Sequence, residues 1–368
     1  MTGLLILLAI GAAIFWATMV AHVAWMLAHP PRRTYASAVA RGRPGEPSEL
    51  DPPRAFQSWT FRSRGFEFPV WDIAGDDPAG PIVILTHGWA DSRIGGLVRV
   101  NAIAPHASRV ILWDLPGHGE APGVCRLGTA EVKDLRALMD VVGEKRRDEE
   151  TQRRSDQSPE RERRVGAPAP LVLYGWSLGA GVSIVVARDD ARIAAVIAES
   201  PYRLPATPAR NVLRARALPH RLTLPPALWL LGMLFRVGPQ FRPRQENAES
   251  AEGAKGRGEE QELRDSIPGR EPEPGFPRDS APSAPSAFSL PFDRAAHAGA
   301  LPCPLLVLHG TDDEVCPIED GRAIAAAAPA GRIVEVAGGR HNDLWTEPAN
   351  TERCEKAVVE LLTNRDYR

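Results

Sequence analysis

Short apolar runs alternate with amphipathic stretches from about residue 55 to residue 363. The apolar runs have the length of β-strands and lie at 56–61, 66–73, 82–85, 110–113, 171–174, 193–198, 305–308 and 333–336. Stretches that can form helices lie between them, at 92–106, 129–142, 180–187, 319–328 and 350–363. Runs that are apolar on both faces are typical of a parallel sheet covered by helices. The pattern predicts an α/β fold over residues 55–363, with a mostly parallel central sheet and helices on both faces.

A single apolar run occupies residues 3–27, and its strongly polar side chains are Thr18 and His22. It is long enough to span the hydrocarbon of a bilayer as a helix. A cleaved signal peptide is the alternative, but the run is long for one and no Lys or Arg precedes it. We therefore predict a retained, single-pass transmembrane anchor. Because Arg32, Arg33 and further arginines follow the run, the positive-inside tendency predicts a cytoplasmic location for the rest of the chain.

Several segments depart from the alternating pattern. Residues 28–54 are rich in Pro, Arg and Gly and predict a linker. Residues 144–169 are charged, and residues 244–288 are rich in Glu, Gly, Pro and Ser. Neither segment can bury enough apolar surface to fold, so we predict that both are disordered insertions. Residues 203–243 predict a small helical cap whose second helix covers 227–237. That helix is too short to cross a membrane; it can pack on the main domain, or it can form an apolar lid that contacts lipid or an acyl chain.

Composition narrows the function classes. The formal net charge of the 368 residues is -2, which gives no indication of a nucleic-acid partner. The cysteines lie at 125, 303, 316 and 354, without a C-x-x-C pair. Their spacing favours neither a zinc site nor a disulfide framework, and is typical of buried thiols in a reducing compartment.

The most informative motif is Gly-Trp-Ser-Leu-Gly at residues 175–179. It follows the apolar run at 171–174 and precedes a helical stretch, so Ser177 lies at the tip of a sharp strand-to-helix turn. The string alone is a weak signal, but its strand and helix context makes it specific. The alternative is an ordinary turn serine.

A serine hydroxyl becomes nucleophilic only when a base accepts its proton, and that base is usually a histidine oriented by a carboxylate. Ser177, Asp313 and His341 each follow a predicted strand, where side chains of a parallel sheet converge at one edge. Their order in the chain, Ser, Asp, His, is the order expected for a serine in this kind of turn. Asp312 is the alternative acid, and Asp114, at another strand end, is a further rival.

The chain resembles the alpha/beta-hydrolase superfamily over about residues 55–363. The segments that carry the resemblance are 87–89, 114–119, the turn around Ser177, 309–317 and 341–343. Alignment on Pro317 implies that Asp313 is the acid, and Asp312 then shapes the turn. Glu199-Ser200-Pro201 is similar to the membrane-anchored serine hydrolases akin to serine aminopeptidases and prolyl-oligopeptidase-like enzymes.

Two backbone amides are candidates for an oxyanion hole. The amide of Leu178 lies at a helix start, where amide groups are free and the helix dipole is positive. The resemblance implies that the second amide is that of Trp89, whose alternative role is packing alone. His87 and His118 are expected to order their loops.

The sequence therefore predicts a membrane-anchored serine hydrolase that cleaves carboxylic ester, thioester or amide bonds through an acyl-serine intermediate. The chemistry needs no metal or organic cofactor, and its substrate would be a small-molecule or lipid acyl compound. The alternative is a catalytically silent scaffold that recruits partners at the membrane through its charged insertions.

Overall fold

The computed structural model of the chain describes residues 1–155, 169–235 and 293–364. Within these residues, strands form one eight-stranded sheet in the order β1-β2-β4-β3-β5-β6-β7-β8. The strands are β1 (Phe56–Ser63), β2 (Phe66–Ala74), β3 (Ile82–Thr86), β4 (Arg109–Trp113), β5 (Leu171–Trp176), β6 (Ile193–Glu199), β7 (Leu305–Gly310) and β8 (Gly331–Val336). β2 pairs antiparallel with β1 and β4, and the pairs from β4 to β8 are parallel. The predicted α/β class and mostly parallel sheet are confirmed.

The described residues form helices, several of which cover the two faces of the sheet. They are α1 (Thr2–Ala28), α2 (Tyr35–Val39), α3 (Arg93–Gly96), α4 (Val100–Ile103), α5 (Glu131–Ser155), α6 (Leu178–Arg188), α7 (Ala206–Ala215), α8 (His220–Leu234), α9 (Arg294–Ala298), α10 (Ile318–Ala327) and α11 (Pro348–Thr363). Short 3-10 turns lie at Pro47–Glu49, Leu97–Arg99 and Ala104–His106. This arrangement leaves the carboxyl ends of the parallel strands at one edge, where the candidate residues lie.

Alternate residues of each central strand pack into two different cores. Ile82 and Ile84 of β3 belong to the core that α5, α6, α9 and α10 cover. Val83 and Leu85 belong to the core beneath the α3–α4 region and α11. Because side chains alternate across a strand, a run that is apolar throughout requires a buried surface on each face, and the helices supply both.

Two predicted helices differ from the observed elements. The helix predicted over 92–106 consists of short α and 3-10 turns. A Cβ on Gly96 would lie 2.7 Å from Leu112, so this segment packs closely on the sheet. The helix predicted to end at Val142 continues to Ser155, into the segment predicted as the first insertion. The rest of that insertion, 156–168, and the second insertion at 244–288 lie outside the described residues.

The second cap helix, α8, begins at His220, well before the predicted start at residue 227. Pro225 and Pro226 lie inside it. A proline has no N–H, so Pro226 leaves the carbonyl of Leu222 without its helical donor. The indole N–H of Trp16 in α1 donates to that carbonyl at 3.2 Å. A donor from another element thus compensates for part of what the prolines remove from the helix.

Helix α1 has two differently placed halves. It is long and apolar enough to cross a membrane. Its first half is exposed, with Leu7 as an example, whereas Val20, Val23, Ala24 and Leu27 in its second half are buried against α7 and α8. The helix therefore continues into the cap instead of ending before the domain.

Candidate active site

Ser177 lies at the tip of the turn between β5 and α6. It has φ 51° and ψ -110°, a backbone region that residues with a Cβ rarely occupy. The turn is possible because glycine lies on either side: a Cβ on Gly175 would lie 2.4 Å from the carbonyl oxygen of Gly179, and one on Gly179 would lie 2.0 Å from that of Thr86. The strain holds the hydroxyl at the carboxyl edge of the sheet, where Ser177 is 6% exposed.

Three side chains from distant parts of the chain meet at this point. Oγ of Ser177 lies 3.1 Å from Nε2 of His341, and Nδ1 of His341 lies 2.8 Å from Oδ2 of Asp313. Asp313 follows β7 and His341 follows β8, so parallel strand ends bring them to the same edge. The structure brings together the serine, acid and base that the sequence predicts.

Both carboxylate oxygens of Asp313 form hydrogen bonds. Its Oδ1 accepts the backbone amides of Val315 at 2.9 Å and Cys316 at 2.8 Å, while Oδ2 faces His341. Burial acts to raise the pKa of this carboxyl, but the hydrogen bond and charge of His341, with the Cys316 amide, outweigh it and lower the pKa below its usual value. An ionised Asp313 can fix the tautomer of His341 that presents a free Nε2 lone pair to Ser177.

The alternative acids lie elsewhere. Asp312 is exposed, and its Oδ1 accepts the hydroxyl of Thr311 at 2.9 Å. Asp114 is buried and accepts Arg93 through its backbone amide at 2.7 Å and its guanidinium at 2.6 Å. In the part of the chain that the structure describes, neither aspartate forms a hydrogen bond or ion pair with His341, so the geometry favours Asp313.

The candidate oxyanion donors border the serine. Leu178 is the first residue of α6, so its amide has no acceptor within the helix. On the opposite side, a Cβ on Gly88 would lie 3.3 Å from Cβ of Ser177, which places the Gly88–Trp89 backbone beside the serine. The Trp89 indole points away, toward α1, and donates to the carbonyl of Leu27 at 3.0 Å. Trp89 thus packs through its ring and leaves its amide available for the predicted role.

His87 and His118, in the loops after β3 and β4, are buried and contact backbone atoms. Nε2 of His87 accepts the Leu115 amide at 2.9 Å, and Nδ1 of His118 lies 3.0 Å from the Pro116 carbonyl. Burial lowers the pKa of His87 well below its usual value and lowers that of His118 to about 4. Both rings are therefore neutral at pH 7 and suit a structural role.

A buried polar cluster beneath the site was missed from the sequence. Glu199, at the end of β6, pairs with Arg99 and accepts the Tyr174 hydroxyl at 2.6 Å and the Trp345 indole N–H at 3.0 Å. The Glu199 carbonyl also accepts the Ser177 amide at 2.8 Å. In the sequence, Glu199 is distinguished only as part of the Glu199-Ser200-Pro201 segment, and Arg99 lies in a predicted helix without a motif.

The N-terminal segment also reaches the site. After α1, Arg32 donates to the Gly119 and Ala121 carbonyls at 2.9 Å each, and Arg33 forms an ion pair with Asp91 at 2.8 Å. Asp91 lies two residues after Trp89. Part of the segment predicted as a linker is therefore bound to the loop that carries a candidate oxyanion amide.

Comparisons with known proteins agree with this architecture. The profile of the alpha/beta hydrolase family matches residues 83–356. A pimeloyl-[acyl-carrier protein] methyl ester esterase from Chromobacterium violaceum is 25% identical over 267 residues, which cover 71% of this chain and 87% of that protein.

Solved structures share the fold at low sequence identity. An esterase from Pyrococcus furiosus has a TM-score of 0.54 at 16% identity, with 91% of this chain and 97% of that chain covered. A membrane phospholipase A has a TM-score of 0.50 at 13% identity, with 99% and 98% covered. Since the family profile spans most of the chain, and the sheet order and turn agree with it, the protein belongs to the alpha/beta hydrolase family.

Proposed function

We propose that the protein is a serine hydrolase that cleaves carboxylic esters through an acyl-serine intermediate. The observation that carries the proposal is the hydrogen-bonded chain from Ser177 through His341 to Asp313, with distances of 3.1 Å and 2.8 Å. Membership of a hydrolase family and the esterase activity named for the Chromobacterium relative support the reaction class. Thioesters and amides share the mechanism and are part of the test.

The geometry accounts for each proton transfer. The Ser177 hydroxyl donates to Nε2 of His341, so Oγ can attack a carbonyl carbon as the imidazole takes the proton. The resulting imidazolium is stabilised by ionised Asp313, and the negative oxygen would lie against the amides of Leu178 and Trp89. His341 then returns the proton to the leaving alcohol. A water molecule attacks the acyl-serine by the same route, which releases the acid and restores Ser177.

We propose further that α1 is a retained membrane anchor. Support comes from its buried second half: Leu27 accepts the Trp89 indole, and the Ala28 carbonyl accepts the Cys125 amide at 2.9 Å. Cleavage as a signal sequence would remove these contacts and expose the cap residues that cover Val20 and Val23. The arginines after α1 favour a cytoplasmic domain. Intact mass of the purified membrane protein tests retention, and protease protection in spheroplasts tests the orientation.

Labelling by a fluorophosphonate probe tests the enzyme proposal. We expect the full chain in mild detergent to be labelled and to hydrolyse short p-nitrophenyl esters, and Ser177→Ala to lose both activities while its circular dichroism is unchanged. Labelling of Ser177→Ala, or an unlabelled wild type that is folded, would contradict the proposal. In the second case the scaffold alternative would gain support. A parallel series of ester, thioester and anilide substrates of one acyl chain identifies the bond class.

A further inference from the structure

Helix α8 of the cap lies beside the second half of α1 and runs in the same direction. Its start is beside Trp16, whose indole N–H donates to the Leu222 carbonyl. Its end is beside the residues that follow α1: the Phe235 ring faces the guanidinium of Arg126, and the neighbouring amide of Cys125 donates to Ala28. Apolar side chains of both helices share one buried cluster. The two helices therefore form one packed unit from the level of Trp16 onward.

The described part of α1 that precedes Trp16 is shorter than the hydrocarbon of a bilayer is thick. At about 1.5 Å per residue, Thr2–Phe15 is about 21 Å long, whereas the hydrocarbon of a bilayer is about 30 Å thick. A spanning α1 must therefore place about 9 Å of its length beyond Trp16 in hydrocarbon. Because α8 is packed against that length, its first turns enter the hydrocarbon as well.

The exposed side chains of α8 suit this position. Leu222 is 68% exposed, and Met233 and Leu234 are also exposed. Trp229 is 58% exposed and lies about two turns beyond Leu222, near the level of Trp25 in α1, which is 59% exposed. Tryptophan is enriched where hydrocarbon meets headgroups, so the Trp25 and Trp229 pair marks the boundary at the depth that the length argument requires.

The charge of the cap indicates which lipids it would meet. Residues 203–235 contain several arginines and no Asp or Glu, although the whole chain has a formal net charge of -2. Arg210, Arg214 and Arg221 are exposed and have no ion pair among the described residues. Arg221 lies in the first turn of α8, where its stem can lie along apolar surface but its guanidinium requires a phosphate or water partner. A cationic, apolar surface of this kind binds anionic bilayers.

The cap also borders the candidate active site. Asn211 of α7 donates to the carbonyl of Val315 at 2.9 Å, beside the turn that holds Asp313. The guanidinium of Arg216 lies over the Trp89 ring at 5.9 Å. A membrane position of the cap would therefore hold the candidate active site near the lipid surface.

We infer that α8 and the second half of α1 together form a membrane-docking surface, seated in an anionic phospholipid bilayer with the first turns of α8 below the headgroups. The inference rests on the proposed retention of α1 as an anchor, and not on the proposed hydrolase chemistry. The experiment that tests it therefore includes a position that reports on α1 alone.

Single cysteines labelled with the environment-sensitive dye NBD can measure depth in the full chain. The cysteines at 125, 303, 316 and 354 are buried, so new cysteines at exposed positions are labelled selectively. Suitable variants are Leu7→Cys for α1, Leu222→Cys and Trp229→Cys for α8, and Glu355→Cys on the exposed face of α11 as the control. Each is reconstituted in vesicles of phosphatidylcholine with one third phosphatidylglycerol, with and without doxyl-labelled lipid.

We expect blue-shifted emission and quenching by doxyl groups deep in the acyl chains at positions 7 and 222. Position 229 should be quenched by shallow doxyl groups, and position 355 should emit as in water. Water-like emission at 222 and 229 with lipid-like emission at 7 would overturn the docking surface while the anchor stands. Water-like emission at 7 would overturn both.

A charge variant tests the preference for anionic lipid. Quenching at position 229 should be stronger with phosphatidylglycerol than with phosphatidylcholine alone, and the difference should shrink as salt is added. Replacing Arg210, Arg214 and Arg221 by Gln should abolish the difference. The matched control replaces Arg62, Arg322 and Arg332, which lie outside the cap, and should retain it. A difference that survives the cap substitutions would overturn the anionic-lipid part of the inference.

Discussion

Glu199 accepts two hydrogen bonds from the Arg99 guanidinium, from Nε to Oε2 at 2.7 Å and from Nη2 to Oε1 at 2.5 Å. Both side chains are almost fully buried, and they are separated by 100 residues in the chain. The pair joins the helical segment after β3 to the end of β6. Through Tyr174 and Trp345, it also joins the strand that precedes Ser177 to the segment that follows His341.

Substitution of Glu199 by Gln should destabilise the fold by about 3 kcal/mol, because it leaves the Arg99 guanidinium buried without its counter-charge. We expect kcat to fall as well, since the Trp345 indole loses an ionised acceptor and Trp345 lies four residues after His341. Urea unfolding followed by fluorescence, together with p-nitrophenyl ester turnover, measures the two effects.

The control is the double variant Arg99→Met with Glu199→Gln, which removes both charges with little change in volume. It should regain much of the stability, because neither partner is then left uncompensated. If the changes in the free energy of unfolding of Arg99→Met and Glu199→Gln add up to that of the double variant, the two side chains do not interact as the distances indicate.

A second prediction concerns the turn glycine Gly179. An added Cβ would lie 2.0 Å from the Thr86 carbonyl oxygen and 2.6 Å from the Thr86 carbonyl carbon, and these backbone atoms belong to a central strand that cannot move aside. Gly179→Ala should cost about 3 kcal/mol or more and abolish fluorophosphonate labelling. Thermal unfolding and labelling of the same preparation provide the measurement.

The matched variant is Gly143→Ala in α5, where no heavy atom lies within 4 Å of the added Cβ. Alanine is the better helix former, so this change should be neutral or stabilise by about 0.5–1 kcal/mol. Equal behaviour of the two alanine variants would argue against the close strand-to-helix contact in the turn.

A third prediction uses the buried carboxyl of Asp91. Burial raises its pKa to about 6, and the opposing effect of Arg33 only partly offsets this. A carboxyl with a raised pKa holds its proton more tightly in the folded state. Its stabilising contribution is thus present at low pH and is lost as the pH rises from about 4 through about 6. The loss corresponds to about 3 kcal/mol.

Asp91→Asn keeps the neutral form at every pH and should remove this loss. The free energy of unfolding of Asp91→Asn relative to wild type should therefore rise by about 2 kcal/mol between pH 4 and pH 7, which is most of that loss. Titration of His87 and His118 occurs in both proteins and cancels in the difference. A difference that does not change with pH would mean that the Asp91 carboxyl keeps its ordinary pKa.

The sequence predicts the strands and the site residues for the same physical reason. A strand buried on both faces is an apolar run, as residues 82–85 are, and a parallel sheet brings the residues after its strands to one edge. Ser177, Asp313 and His341 follow β5, β7 and β8, so topology alone brings them together.

The contacts of α1 could not be predicted in this way. An apolar helix has the same pattern whether lipid or protein surrounds it, so nothing distinguishes exposed Leu7 from buried Val23 in the sequence. Likewise, the predicted start of the cap helix at residue 227 is too late, because the sequence does not show that Trp16 will supply a donor to the Leu222 carbonyl where Pro226 has none. The Arg99–Glu199 pair forms only because two segments far apart in the chain pack together, and no sequence pattern indicates that contact.

The last prediction separates the two adjacent candidates for the acid. Asp313→Asn should lower kcat by about 10³–10⁴-fold, because an amide can donate to Nδ1 of His341 and so favour the tautomer whose Nε2 carries the proton and cannot accept one from Ser177. Asp312→Asn is the matched variant: its carboxylate is exposed and accepts Thr311, so kcat should change by less than about twofold. Ester turnover by both variants, at equal folded concentration judged by circular dichroism, measures the contrast.

A large loss in Asp312→Asn with an active Asp313→Asn would assign the role of the acid to Asp312 and require a rearrangement of the loop after β7. Near-wild-type turnover in both would show that His341 needs no carboxylate to act as the base.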